Sequence, residues 1–446
     1  MFNGRLVIDS ELPVYSIRHY HFATKKRGGR YYRILKQRGI QYQNEHWRCL
    51  RCGAICDQWI LQTGEHYCRS CIAYHRVSER TWLYSKPWQS SFHPISKPLL
   101  AWEGQLSVFQ QPISQQLVQA SQPVILVYAV TGAGKTEMVY HYLQHHLQQG
   151  KRVVYVAPRI DVVKELATRF RRVFPTLDIP CLYGDSPEQY RCRPFTVMTI
   201  QQLIRFQRCV DCLLIDEVDA FPYAGNQQLK FFVDRALAVG GQKVYLTATL
   251  TPELEQQMEQ LCVFRLPIRY HLQPLPVPCI KWLFQSYRFL RKKRLPYLIK
   301  QLLRQRTRAV LIFFPNIEQM KRWEILLRNF DHQLKVASVS SQDECRDEKI
   351  TAMRHKQYDV LLTTMILERG VTFENIDVWI MDAHHPSFTK SALIQISGRV
   401  GRKKEYPTGK VYWIAEGKTK AMLKAMDEIK QQNRWAQQCL EERNDL

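Results

Sequence analysis

The sequence predicts an α/β protein: two tandem domains, each a parallel sheet with helices on both faces, preceded by a small domain built on four zinc-binding cysteines. Three observations carry this. Strand-length apolar runs recur between residues 124 and 246 and again between 310 and 382, each ending in a small, polar or glycine-bearing turn. Two Cys-x-x-Cys pairs come before them. At 446 residues the chain is too long for one core, so roughly two to three domains are expected. The boundaries are set at 1–90, 91–270 and 271–446.

Composition narrows the function class. Sixty-four Lys and Arg against 40 Asp and Glu give a formal charge of +24, which favours a polyanionic partner. No apolar run approaches the roughly 18–20 residues that cross a bilayer. The opening M-F-N-G-R-L-V-I-D-S lacks the layout of a signal peptide. A cytoplasmic protein is expected, with its 13 cysteines as thiols or metal ligands.

From Leu12 to Asn44 there is no acidic residue, and tyrosines alternate with Lys and Arg. Such a leader fits contact with phosphates and unpaired bases; a solvated basic arm fits equally. Lys25 to Arg30, with two glycines inside, is expected as a loop. Cys49 and Cys52 are followed, after fifteen residues, by Cys68 and Cys71. Each pair presents two thiolates from one knuckle, and four close a tetrahedral structural zinc site. Residues 82 to 102, rich in Pro, Ser and Trp, are expected as a linker.

In the first α/β domain, the run 124–130 reads as a buried strand and 136–147 as the helix after it. Between them lies A-V-T-G-A-G-K-T. Backbone N–H groups across Thr131, Gly132, Ala133 and Gly134 would wrap phosphate at the helix N-terminus. Lys135 would reach the β- and γ-phosphates, and the Thr136 hydroxyl would ligate Mg²⁺. Ala129 stands where the strict pattern wants Gly. A later strand ends in Asp216-Glu217-Val218-Asp219, in the crevice where α/β ligands bind. Asp216 is assigned to Mg²⁺ and Glu217 to the attacking water. Thr247-Ala248-Thr249 ends another strand and by itself says little.

The second domain carries strands near 310–314, 359–364 and 378–382, then Q-I-S-G-R-V-G-R at 395–402. On a helix, Gln395, Arg399 and Arg402 would share one face at i, i+4 and i+7. Arg402, with Arg399 alongside, would reach across a cleft to a γ-phosphate and couple hydrolysis to closure. The basic stretch from Lys281 to Lys300 reads either as a second DNA-facing patch or as a solvated helix.

In this order, A-V-T-G-A-G-K-T, D-E-V-D, T-A-T and Q-I-S-G-R-V-G-R resemble helicase superfamily 2 of DEAD/DEAH type over about residues 100–410. The resemblance implies two RecA-like domains with ATP and Mg²⁺ between them. It implies that Gln110 reads adenine, with Gly370 and Gln395 beside the nucleotide. Arg159, Thr199 and Gln202 would hold the nucleic-acid backbone from the first domain, and Thr363 and Thr364 from the second. Thr372 stands where many members carry Asp, which leaves the ribose contact open.

More narrowly, the four-cysteine site before the motor, A-P-R-I-D-V-V-K-E-L and L-L-T-T-M-I-L-E-R-G-V-T resemble the ComFA family of competence-associated ATPases. Met365 departs from the usual Thr of that family. PriA-type restart helicases share the motor but carry zinc inside it. The resemblance implies an ATP-driven single-stranded DNA translocase at the inner membrane face, with ComFC, DprA and the ComEC channel as partners; whether it forms an oligomer is left open. A duplex-unwinding repair or restart helicase, an RNA helicase and a nucleotide-gated DNA-binding scaffold are the alternatives.

Overall fold

The computed structural model describes residues 4–11, 25–27, 30–32, 35–85, 92–188 and 190–444. Much of the basic leader lies outside them. Two parallel sheets dominate. The first has seven strands, in the order Cys181–Leu182, Phe195–Thr199, Val153–Ala157, Val210–Asp216, Leu237–Thr247, Val124–Ala129 and Cys262–Leu266. The second has six: Cys279–Trp282, Val411–Ala415, Ile376–Met381, Ala309–Phe313, Val360–Thr363 and Val336–Val339. The central strands are largely apolar because helices cover both faces; Val153–Ala157 and Ile376–Met381 are buried end to end, the latter with Asp377 inside it. These are the two expected RecA-like lobes.

The N-terminal part is a separate antiparallel unit. Leu6–Ile8 and Leu35–Arg38 both pair with Trp82–Ser85. The expected linker therefore begins inside a strand, which the Pro and Ser content of the segment concealed. Lys25–Arg27 and Arg30–Tyr32 also pair, so residues expected as part of a loop lie in antiparallel strands; the two glycines between them lie outside the described residues.

The unit packs on the first lobe. Its buried cysteines share a core with Leu126, Val154 and Phe232, and Tyr74 meets Phe232 edge-on at 6.4 Å. Arg235, on the helix Gln227–Ala236, donates to the carbonyls of Arg51, Ile204 and Phe206. One side chain thus ties the cysteine knuckle to the lobe.

At the other end, the helix Lys420–Asn444 returns to the first lobe. Glu428 accepts from Tyr128 of that lobe at 3.1 Å and pairs with Lys390 of the second at 2.8 Å. Among the described residues, no helix is long and apolar enough to cross a membrane.

Candidate nucleotide site and zinc cluster

The strand Val124–Ala129 runs directly into the phosphate-type loop. Gly132 and Gly134 take positive φ (80° and 75°), the left-handed region where glycine costs least. At Gly134 a Cβ would lie 2.3 Å from Gln110 Nε2, so a larger residue would have to displace the Gln110 amide. Ala129 needs no such freedom, since it closes a buried strand. Lys135 Nζ donates to the carbonyls of Ala129 and Val130, at 3.0 and 3.3 Å. Burial pulls its pKa down, while Asp216, Asp219 and Glu217 push it back.

The carboxylates lie opposite. Asp216 accepts from Tyr155 Oη at 3.0 Å and from the Glu217 N–H at 2.9 Å. Glu217 sits at φ 54°, a strained conformation of the kind that gathers at functional sites. Burial, opposed by Arg369 and reinforced by Asp216 and Asp219, pushes its carboxyl up to about 7. Its Oε2 is buried with no hydrogen-bond partner among the described residues.

Asp219, to which the sequence reading gave no role, joins the lobes. It accepts from Thr247 at 2.9 Å and Thr249 at 2.6 Å within the first lobe. From the second it receives Arg369 Nη2 at 2.6 Å and the Ser391 hydroxyl. Burial works to raise Asp219, but Arg369 and the hydroxyls overcome it and hold the carboxyl well below the usual range. Thr247-Ala248-Thr249 thus gains meaning only in space.

The arginine pair differs from expectation in one respect. The helix Lys390–Ser397 ends at Gly398, so Arg399 and Arg402 follow it rather than extend one of its faces. The cause is Arg269, a buried residue after the last strand of the first lobe. It donates to the carbonyls of Gly398, Val400 and Gly401 at 2.8–3.0 Å, capping the frayed end from the opposite lobe. Arg402 nonetheless lines the cavity, as does Gln395. Arg399 is fully buried; its Nε donates to the Glu368 carbonyl, and both Nη atoms lack a hydrogen-bond partner among the described residues.

These groups surround a cavity of about 540 Å³ between the lobes, a normal size for a nucleotide-scale ligand. Gly132, Gly134, Thr136, Gly370 and Thr372 line it, and so do Trp102, the last residue of the segment read as linker, and Gln105 just after it. Thr131 Oγ1 is a buried atom without a partner there. Unsatisfied Arg399, Thr131 and Glu217 atoms are costly in an apolar interior and fit a polar occupant. Gln110 is spent locally: it accepts from the Ser107 N–H and donates to the Ala133 carbonyl, both at 2.7 Å.

The expected strand contacts fare unevenly. Arg159 points across the cleft, donating to the Met365 carbonyl at 2.9 Å and pairing with Glu368 at 2.7 Å. Thr199, Gln202 and Thr363 are buried, and the Thr363 hydroxyl donates to the Thr364 carbonyl at 3.2 Å. Thr364 is half-buried.

The four expected zinc ligands do meet. The sulfurs of Cys49, Cys52, Cys68 and Cys71 lie within 4.8 Å of one another. That crowding of buried sulfur suits one tetrahedral ion with Zn–S bonds of about 2.3 Å. Cys56 turns its Sγ to the Ala54 carbonyl, and His66 pairs with Glu79 and stacks on Trp47, so neither competes.

Comparison with known proteins agrees with this geometry. Residues 107–257 match the DEAD/DEAH box helicase family model, and residues 293–404 match the helicase conserved C-terminal domain. The chain shares the fold of yeast Dbp5 bound to RNA and ADP BeF3 (TM-score 0.54, 16% identity, 74% of this chain and 88% of that one). It also shares the fold of the Mycobacterium smegmatis helicase Lhr (TM-score 0.53, 17% identity, 76% and 51%). The protein is a superfamily 2 helicase-type, ATP-dependent enzyme.

Residues 1–85 match the Competence protein ComFA N-terminal domain. Competence protein ComFA of Bacillus subtilis is 38% identical over 416 residues, 90% of this chain and 89% of its own. That of Streptococcus pneumoniae is 40% identical over 397 residues, 87% and 90% respectively. The chain belongs to the ComFA family, the competence-associated helicase-like ATPases. RecG of Synechocystis is more distant, at 27% identity over 65% of this chain.

Proposed function

We propose that the protein is a motor that pulls single-stranded DNA during natural transformation, hydrolysing ATP between its lobes. One observation carries the proposal: cavity walls come from both lobes, which meet at Asp219–Arg369, Arg159–Glu368 and Thr131–Gly398. Closing the lobes completes the site, so turnover and lobe movement are linked.

The loop 131–136 binds phosphate through its N–H groups and Lys135. Thr136 and Asp216 would hold Mg²⁺, which neutralises phosphate charge. Glu217, poised near neutrality, accepts the proton of the attacking water. Arg402 and the unpaired Arg399 fork stabilise charge on the transferred phosphoryl. Cys49, Cys52, Cys68 and Cys71 would hold a structural Zn²⁺ that fixes residues 1–90 on the lobe formed by 91–270. Residues 271–446 form the moving lobe, including the helix Lys420–Asn444 that returns to the first lobe. Arg159, Thr199, Gln202, Thr363 and Thr364 line the strand path, with Arg159 exchanging its contacts to Met365 and Glu368 for phosphate as the lobes shift. Family membership supports ComFC, DprA and ComEC as partners, a place at the inner membrane face, and oligomer formation.

The test is streptavidin displacement from end-biotinylated single-stranded DNA. The protein with ATP should strip the block and Lys135→Ala should not. Equal displacement by both, or none by either, would remove the translocase reading.

A further inference from the structure

The second lobe has an exposed, basic and aromatic edge. From residue 260 to 317 the chain has no acidic residue. Within that span three large aromatic side chains face solvent together: Trp282 is 47% exposed, Phe284 64% and Tyr287 58%. Trp282 and Phe284 present nearly parallel rings, 10° apart with centroids at 6.3 Å.

The display is rigid, because alternate residues anchor it. Leu283 is buried in the lobe's core and its N–H donates to the Ala415 carbonyl at 3.0 Å. Ser286 donates its N–H to Glu416 and its hydroxyl to Asp382. The nearby carboxylates are thereby turned onto Ser286. Next to the rings are Arg288 and the exposed run 291–294, Arg-Lys-Lys-Arg, for which no ion pair occurs among the described residues. Most of this segment falls between the two matched helicase regions, 107–257 and 293–404.

We infer that Trp282, Phe284 and Tyr287, flanked by Arg288 and 291–294, form a second docking platform for single-stranded nucleic acid, outside the interlobe groove. The chemistry is base stacking on exposed rings, with unpaired cations taking the phosphates. Trp282 ends the edge strand and Thr363 ends a strand four positions inward, so both lie along the C-terminal margin of one sheet. At about 4.8 Å per strand the separation is roughly 19 Å. One strand of nucleic acid can therefore span from the rings to half-buried Thr364, just past that strand end.

This inference rests on the single-strand reading above, and the experiment separates the two. Anisotropy would be measured with labelled thymidine oligomers of about 4 and about 16 nucleotides, the limits of common single-strand footprints. The double variant Trp282→Ala, Phe284→Ala should bind the long oligomer about tenfold more weakly or worse, with the short oligomer and strand-free ATP hydrolysis unchanged. Lys292→Glu with Lys293→Glu should act in the same direction. Unchanged affinity for the long oligomer in both double variants would overturn the platform while leaving the motor reading intact. If the parent protein binds neither oligomer, the motor reading and the platform fall together. The third arm uses vesicles of phosphatidylglycerol and phosphatidylcholine in equal parts. Loss of vesicle binding with full strand binding would reassign the surface to a membrane and overturn the inference.

Discussion

Replacing Arg369 by Met keeps most of the side-chain volume and removes the cation that joins the lobes. Arg369 is nearly fully buried, 2.6 Å from Asp219, 3.1 Å from Glu368 and 3.5 Å from Glu217. Removing one partner of a buried pair costs about 3–5 kcal/mol, mostly through the charge left behind. Asp219 keeps hydroxyl donors from Thr247, Thr249 and Ser391, which places the cost near the lower limit. About 3 kcal/mol is roughly a 150-fold change in an equilibrium. The cost falls on the closed form, because separated lobes return both charges to water. Arg369→Met should therefore lower kcat/KM for ATP by about 150-fold, with a much smaller change in unfolding free energy. Asp219→Asn should do likewise, and the double variant should be little worse than either single one. A loss of less than about threefold in Arg369→Met, or strictly multiplicative effects, would refute the interlobe role.

Gly398→Ala would place a Cβ 2.0 Å from Thr131 Oγ1; ATP turnover should drop at least tenfold while the melting temperature holds, as steady-state kinetics and calorimetry would show. Glu217 must be ionised to act as a base, so turnover should rise with pH through about 7, and Glu217→Gln should abolish it. The stability sign is opposite: the folded pKa lies above the ordinary carboxyl value, so this group's stabilising contribution is full at low pH and lost as pH rises through about 7, measurable by denaturant titration. Cys52→Ser should release zinc in metal analysis and loosen the contact through Arg235, seen as faster proteolysis near residue 51.

The parts of this protein readable from its sequence are those with local signatures. A strand followed by a glycine loop and Lys135, paired cysteine knuckles and apolar strand periods all encode themselves within a few residues. The interlobe contacts do not. Asp219 looked like the tail of an acidic turn, and Thr247 and Thr249 like filler, because their meaning comes from Arg369 and Ser391, more than a hundred residues away. Arg269 had no signal at all, yet it ends the helix before Arg399 and so overrides the expected helical face. Trp102 was concealed by a linker-like composition. The strand Trp82–Ser85 was masked for the same reason, since its pairing partners begin at residues 6 and 35.

ATP hydrolysis by the purified chain, measured with single-stranded DNA, duplex DNA and RNA in turn, tests the central claim most directly. Turnover should be low without nucleic acid, most strongly stimulated by single-stranded DNA, and absent in Lys135→Ala. Turnover indifferent to all three nucleic acids would contradict the claim.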